Sequence, residues 1–378
     1  MATLTDTRAT GTRVAWVDNL RIASIAGVVV VHTATAYVTD VADWYYHDEL
    51  HPTSVGFALF AVPALLGGVF GLGPLFWLAG WFSVGSLRRR GPARFALDRV
   101  VRLGVPLAVF VLLINPLADL VGSVRRERRS FLGHLADTEF SITWFVVVLL
   151  VASLAYAGLR AVRPAPRSSS APGMASLLAA GALITIAAVL VWPSASLLDE
   201  ELMSVRLGAW PQGLGLFALG VACGESREAS DGLTAAIAPQ GRAGRGWGWL
   251  TVVGVVVAVA LMASTGDEDI NDVLHTMAWQ GVVFAAAYGL VSVSFTIWCL
   301  QWFGRRWTRD RSWTRKAGRS SYATYLLHPL VLTGVMVALS PIPIAAEVKF
   351  LLVVAVGVPC CFVVGRAVSR LPGVRSVL

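Results

Sequence analysis

Arg21 and His32 stand out first in this chain, because both are ionisable and both lie in an otherwise apolar stretch, Asp18-Asn-Leu-Arg21-Ile-Ala-Ser-Ile-Ala-Gly-Val-Val-Val-Val-His32. Ionisable side chains are expensive in such surroundings and are functional candidates for that reason. Eleven residues at about 100° each end about 20° past three full turns, with a rise of about 16 Å, so on a helix both side chains point the same way at different depths. A neutral imidazole in a low-dielectric site can take a proton from a hydroxyl, and a guanidinium below it can hold phosphate or carboxylate. The bland alternatives are an interfacial Arg21 paired with Asp18 at i,i+3 and a His32 that makes a polar helix contact.

Two further constellations follow. Arg99 and Arg102, in Phe95-Ala-Leu-Asp98-Arg99-Val-Val-Arg102-Leu-Gly-Val-Pro106, are i,i+3 neighbours on one helical face and suit an anionic ligand. Topological anchoring is the competing reading for them. Tyr322, Tyr325 and His328 step by three through Ser321-Tyr322-Ala-Thr-Tyr325-Leu-Leu-His328-Pro329, forming a polar stripe that either meets an acceptor or is structural. The other histidines, His47, His51, His134 and His275, have no ligand spacing, and Cys223, Cys299, Cys360 and Cys361 fall in or near apolar runs as packing residues, so no metal is assigned.

The elements that position these groups are read from apolar runs near 20 residues. Ten are expected, at 20–38, 57–87, 103–121, 143–160, 174–192, 210–224, 249–265, 275–303, 320–340 and 349–366. A break near Gly71-Leu-Gly-Pro74 was weighed for the second, and the flanking charge favours a single crossing. The fold class is therefore all-α, a polytopic integral membrane protein of about ten helices with both termini cytoplasmic. Residues 1–19 form an N-terminal segment, 20–366 the membrane domain and 367–378 a tail. Arg8, Arg13 and Ala34-Thr-Ala36 imitate a secretory signal, but the uncleaved reading is taken because the same stretch carries Arg21 and His32.

Composition agrees: of 378 residues 56% are hydrophobic and 14% charged, too few charges to coat a soluble globule. The 31 Lys+Arg against 23 Asp+Glu leave +8, and all but Lys316 and Lys349 of the basic residues are Arg. That excess maps onto expected cytoplasmic flanks at Arg88–Arg102, Arg160–Arg167, Arg305–Arg319 and Arg366–Arg375, with acidic segments around Asp40–Glu49, Asp199–Glu201 and Asp267–Asp272 opposite. The charge follows topology, and no nucleic-acid partner is expected. Arg125–Arg129 is the exception, falling outside on this count.

Four ordered runs, Arg21-x10-His32, Leu75-Phe-Trp-Leu-Ala-Gly80, Arg99-x-x-Arg102-Leu-x-x-Pro106 and Ser321-Tyr-x-x-Tyr325-Leu-Leu-His328-Pro329, resemble the membrane acyltransferase-3 family over residues 13–366. Asp18-Asn-Leu-Arg21, Arg90-Gly91, Thr143-Trp-Phe145 and Trp210-Pro-Gln with Phe217-Ala-Leu-Gly220 are similar to its glucan succinyltransferase-like branch. Ala79 stands where the family usually has Ser, and Ile142-Thr143 where many members have His-Leu. The resemblance implies transfer of an acetyl or succinyl group from acyl-CoA (acetyl-CoA or succinyl-CoA, a substrate and not a bound cofactor) to a hydroxyl of a sugar, glycan or small molecule. It implies His32 and Arg21 as the essential pair and Arg99 and Arg102 as donor contacts, in a bacterial inner or plasma membrane. The lipid bilayer is the expected environment, and a second copy of the chain is a candidate partner. A transporter or flippase with an Arg/His/Tyr-lined path is the competing reading.

Overall fold

The computed structural model describes residues 14–38, 44–48, 50–125, 130–164, 170–201, 206–237, 244–264 and 279–377. Among these there is helix and no strand. The principal helices are α1 (Ala15–Thr35), α2 (Ser54–Phe70), α3 (Gly73–Arg90), α4 (Pro92–Gly122), α5 (Phe131–Ala136), α6 (Trp144–Val162), α7 (Met174–Glu201), α8 (Trp210–Glu225), α9 (Gly244–Ser264), α10 (Trp279–Arg306), α11 (Ser312–Leu339) and α12 (Ala346–Val368). Among the described residues eight helical stretches are long and apolar enough to cross a membrane, and Ser54–Ala64 and Arg245–Leu261 are shorter apolar helices. This is an all-α, multi-pass membrane protein.

The second crossing is corrected: 57–87 is two helices, α2 and α3, with Gly71-Leu72 between them. The Pro74 ring opposes the carbonyl four residues back, at Phe70, where α2 ends. Gly71 (φ −59°, ψ −27°) and Leu72 (φ −95°, ψ −11°) stay right-handed, so the chain bends there rather than forming a hairpin. α1 begins at Ala15, five residues before the expected start of the first crossing at 20, and Val377 of a short helix, Val374–Val377, lines a cavity together with residues of the membrane helices.

α4 begins eleven residues before the expected 103, after a corner at Gly91 whose φ of +76° suits glycine, with Pro92 at its first turn. Two π-turns interrupt it, Val100–Gly104 and Phe110–Ile114, ahead of Pro106 and Pro116. Each proline lacks an N–H and crowds the carbonyl four residues back, and the wider i→i+5 turn relieves both defects.

Contacts between helices are made by small residues, as expected where burial from lipid supplies little drive. A Cβ on Gly220 of α8 would lie 2.0 Å from the Trp77 carbonyl oxygen of α3, and one on Gly80 2.1 Å from the Phe217 oxygen, so these backbones touch. Buried hydroxyls satisfy themselves on their own helix, Thr33 on Val29, Ser83 on Ala79 and Thr324 on Ser320, at 2.7 to 2.9 Å. Val105, Val109, Leu112 and Leu113 of α4 are exposed, the outer surface a lipid-facing helix presents.

Ser123–Arg125 follows α4, whose C-terminal end contacts Tyr45 of the α1–α2 connection. Arg126–Arg129, His275, Asp267–Asp272 and Asp40, Asp43 and Glu49 lie outside the described residues.

Candidate active site

The structure brings Arg21 of α1, Arg99 and Arg102 of α4, and Tyr322 and Tyr325 of α11 to one cavity of about 360 Å³. Arg319, one turn before Tyr322, joins them. Ala79 lines the same wall and presents a methyl group to the cavity. Val377 of the tail also lines it.

The π-turn explains how two arginines three apart serve one cavity differently. Arg99, before the turn, lies with its guanidinium 4.9 Å from the Phe95 ring centre, and its Nε is buried without a partner among the described residues. Arg102, inside the turn, is half exposed and donates Nε–H to Asp98 at 2.9 Å. Asp98 also pairs with Arg90, at the end of α3. One carboxylate oxygen thus takes two guanidinium groups, leaving positive charge over for a ligand. Arg21 is within 4.0 Å of Asp18, the expected i,i+3 pair, and also sits 5.5 Å from the Phe82 ring centre of α3.

His32 lies beyond, in an aromatic cluster. Its ring stacks on Trp44 at 4.2 Å (15° between planes) and on His328 at 5.3 Å (22°). Tyr325 links the two regions: it lines the arginine cavity, and its ring is 5.8 Å from that of His328. The polar stripe on α11 is therefore the connection between Arg21 and His32. Its members differ in availability. Tyr325 donates its hydroxyl to the Ile142 carbonyl, whereas the Tyr322 hydroxyl is buried without a partner among the described residues. His328 Nδ1 is 2.5 Å from the Tyr325 carbonyl, which makes it the N–H and leaves Nε2 as the lone-pair nitrogen. That Nε2, like His32 Nδ1, is buried and unpartnered among the described residues.

Trp44 was not among the expected residues, and a chain of anchors holds it over His32. Tyr45, next to it, donates to Asn115 of α4 and lies 3.0 Å from Ser141 Oγ. Asp48 donates its N–H to Ala36 at 2.9 Å, and its carboxylate pairs at 3.5 Å with Lys349 of α12. Both side chains of that pair are buried, 5% and 3% exposed. Arg206, exposed and with φ +52° before α8, is a second residue the sequence did not single out.

His134 is accounted for separately. Its Nδ1 is 2.5 Å from Asp119 and its Nε2 3.3 Å from Ser123 Oγ, the order of a nucleophile–base–acid relay. The burial is the reverse of an activated serine: the imidazole is buried, Asp119 is half exposed, and the Ser123 hydroxyl is 3.1 Å from the Leu120 carbonyl. This chain of bonds fastens α5 to the end of α4.

Among the described residues no group of His, Cys, Asp and Glu could hold a metal ion. The architecture defines a class: a helical membrane protein whose arginine-walled cavity leads to a stacked histidine pair. The acyltransferase domain that defines the acyltransferase-3 family matches residues 14–366, and the chain belongs to that family. It is a membrane acyltransferase. No curated protein matches the sequence.

Proposed function

We propose that this acyltransferase moves a short acyl group, acetyl or succinyl, from acyl-CoA to a hydroxyl of a carbohydrate or related small molecule. The observation that carries the reading is the single cavity shared by Arg21, Arg99 and Arg102, joined through Tyr325 to the His32–His328 pair. Guanidinium groups suit the phosphates of the donor. The pantetheine arm is long and thin, so its thioester can lie near His32 while the phosphates stay at the arginines.

In the direct reaction, His32 accepts the proton of the acceptor hydroxyl as its oxygen attacks the thioester carbonyl. The C–S bond breaks and the thiolate leaves, taking up a proton to give CoA–SH. His328, stacked on His32, and Trp44 above it fix the plane of the ring and keep water away. A succinyl group is favoured by the branch resemblance, and a cytoplasmic face for the arginine cavities by the topology read from charge.

Membership of the family favours transfer over the transporter reading. The test is CoA release by the purified protein given acetyl-CoA or succinyl-CoA, with and without sugar and glycan acceptors. Acceptor-dependent release supports the reading, and its absence with every donor and acceptor overturns it.

A further inference from the structure

A second cavity, of about 620 Å³, opens between the C-terminal ends of α3 and α8 and the 3-10 turn Arg227–Asp231 that follows. Its volume is in the range of small-molecule sites. Arg88, Arg89 and Arg227 line it, with Trp81 and Phe82 as an aromatic wall and Ser226 and Ser230 at the rim.

The acids around it are already engaged. Glu225 is held by Arg160 through two bonds of 2.8 Å and by the Tyr156 hydroxyl at 2.8 Å. Glu228 accepts the Ala171 N–H at 2.9 Å, and its own N–H and that of Ala171 hold its carboxyl below the usual range. Arg88, Arg89 and Arg227 form no ion pair among the described residues. Arg88 and Arg89 thus line the cavity beside an aromatic wall with no ion-pair partner among the described residues, and Arg227 has Glu228, already held by the Ala171 N–H, as its acidic neighbour. Juxtamembrane anchoring explains a basic helix end but not a cavity with this lining.

This cavity adjoins the first. Phe82 lines one, and the guanidinium lying over its ring belongs to Arg21, which lines the other. The three consecutive arginines at the end of α3 straddle both, Arg88 and Arg89 facing the second while Arg90 pairs with the Asp98 that holds Arg102. A ligand spanning both would have phosphates at two separated places and a flat base at one end.

We infer that this second cavity binds the 3′-phosphoadenosine end of the acyl-CoA donor, with the 3′-phosphate on Arg88, Arg89 and Arg227 and the base against Trp81 and Phe82. The diphosphate then lies at Arg99 and Arg102, and the arm runs past Tyr322 and Tyr325. The inference rests on the acyl-CoA reading above and adds a test of its own, because only the nucleotide end reaches this cavity.

The experiment measures binding of CoA and of 3′-dephospho-CoA to the purified full-length protein, in neutral-lipid nanodiscs, by calorimetry. The wild type should prefer CoA about tenfold or more, the scale of one or two charge-assisted bonds. Arg88→Ala/Arg89→Ala/Arg227→Ala should lose that preference by weakening CoA alone. Arg227→Ala, an exposed change outside the helices, should show a partial loss in a protein with unaltered thermal melting. Equal affinity of wild type and triple variant for CoA overturns the inference while leaving the acyl-CoA reading standing. No CoA binding by the wild type overturns both. The same cavity could instead take a phospholipid headgroup. A preference for phosphatidylglycerol nanodiscs that the triple variant loses, with no discrimination between the two nucleotides, assigns it to lipid and also overturns the inference.

Discussion

His32 owes its setting to three rings from distant parts of the chain: its own on α1, Trp44 from the following connection and His328 from α11. Stacked in this way, with its Nδ1 buried and unpartnered among the described residues, it fits a base that meets the acceptor hydroxyl beside the thioester. His32→Ala should lower saturated turnover by about 10²–10⁴ while leaving the CoA affinity within about twofold. Single-turnover acyl transfer alongside calorimetry reads the two separately, and full turnover in the variant would remove His32 from the mechanism. Arg102→Ala acts at the opposite end. It should raise the donor dissociation constant about tenfold or more, with a smaller effect at saturating donor. Of these residues, Arg21, His32, Arg99, Arg102 and the α11 stripe were legible because helical periodicity relates residues close in sequence. Trp44 and Arg206 were not, since each comes from a connection placed by contacts remote in the chain.

At the scale of elements, the connection carrying Trp44 depends on α4 and α12. A Cβ on Gly122 would lie 1.9 Å from the Tyr45 carbonyl oxygen, so the end of α4 fits against this segment with no space to spare. Gly122→Ala should displace Tyr45 and with it Trp44. The expected result is a fall of at least tenfold in turnover with donor binding retained, measured by the same two assays. The Asp48–Lys349 pair fastens the other side. Lys349→Met strands a buried carboxylate and should cost about 3–5 kcal/mol, while Asp48→Asn/Lys349→Met should recover most of that. Thermal melting in detergent checks both, and equal loss in single and double variants would show that the pair does not couple. Helix existence was legible from apolar runs, but helix shape was not. The bend at Gly71-Leu72 and the π-turns of α4 follow from prolines whose consequence depends on the carbonyl four residues earlier, which a hydropathy window averages away.

For the whole molecule, the two ends carry different chemistry, and that difference fixes what the enzyme can do. The arginine cavities open at the end bearing Arg88–Arg102 and Arg319, and the Trp44–His32 cluster lies towards the end bearing Asp48, Thr53 and Glu347. If the first end is cytoplasmic, as the basic flanks predict, the proposed donor and acceptor are presented from opposite sides, and the rise of about 16 Å from Arg21 to His32 carries the acyl group across about half of a hydrocarbon core of about 30 Å. Thiol labelling tests this directly. The native cysteines interfere little, since Cys223, Cys299 and Cys361 are buried and Cys360→Ser removes the fourth. On that background, Arg94→Cys, exposed in the first turn of α4, should react with a membrane-impermeant maleimide only in inside-out vesicles. His51→Cys, exposed just before α2, should react only in intact cells. The reverse pattern would invert the molecule and place the donor cavities where cytoplasmic acyl-CoA cannot reach them. Labelling of both positions from one side would break the two-sided geometry on which transfer across the bilayer depends.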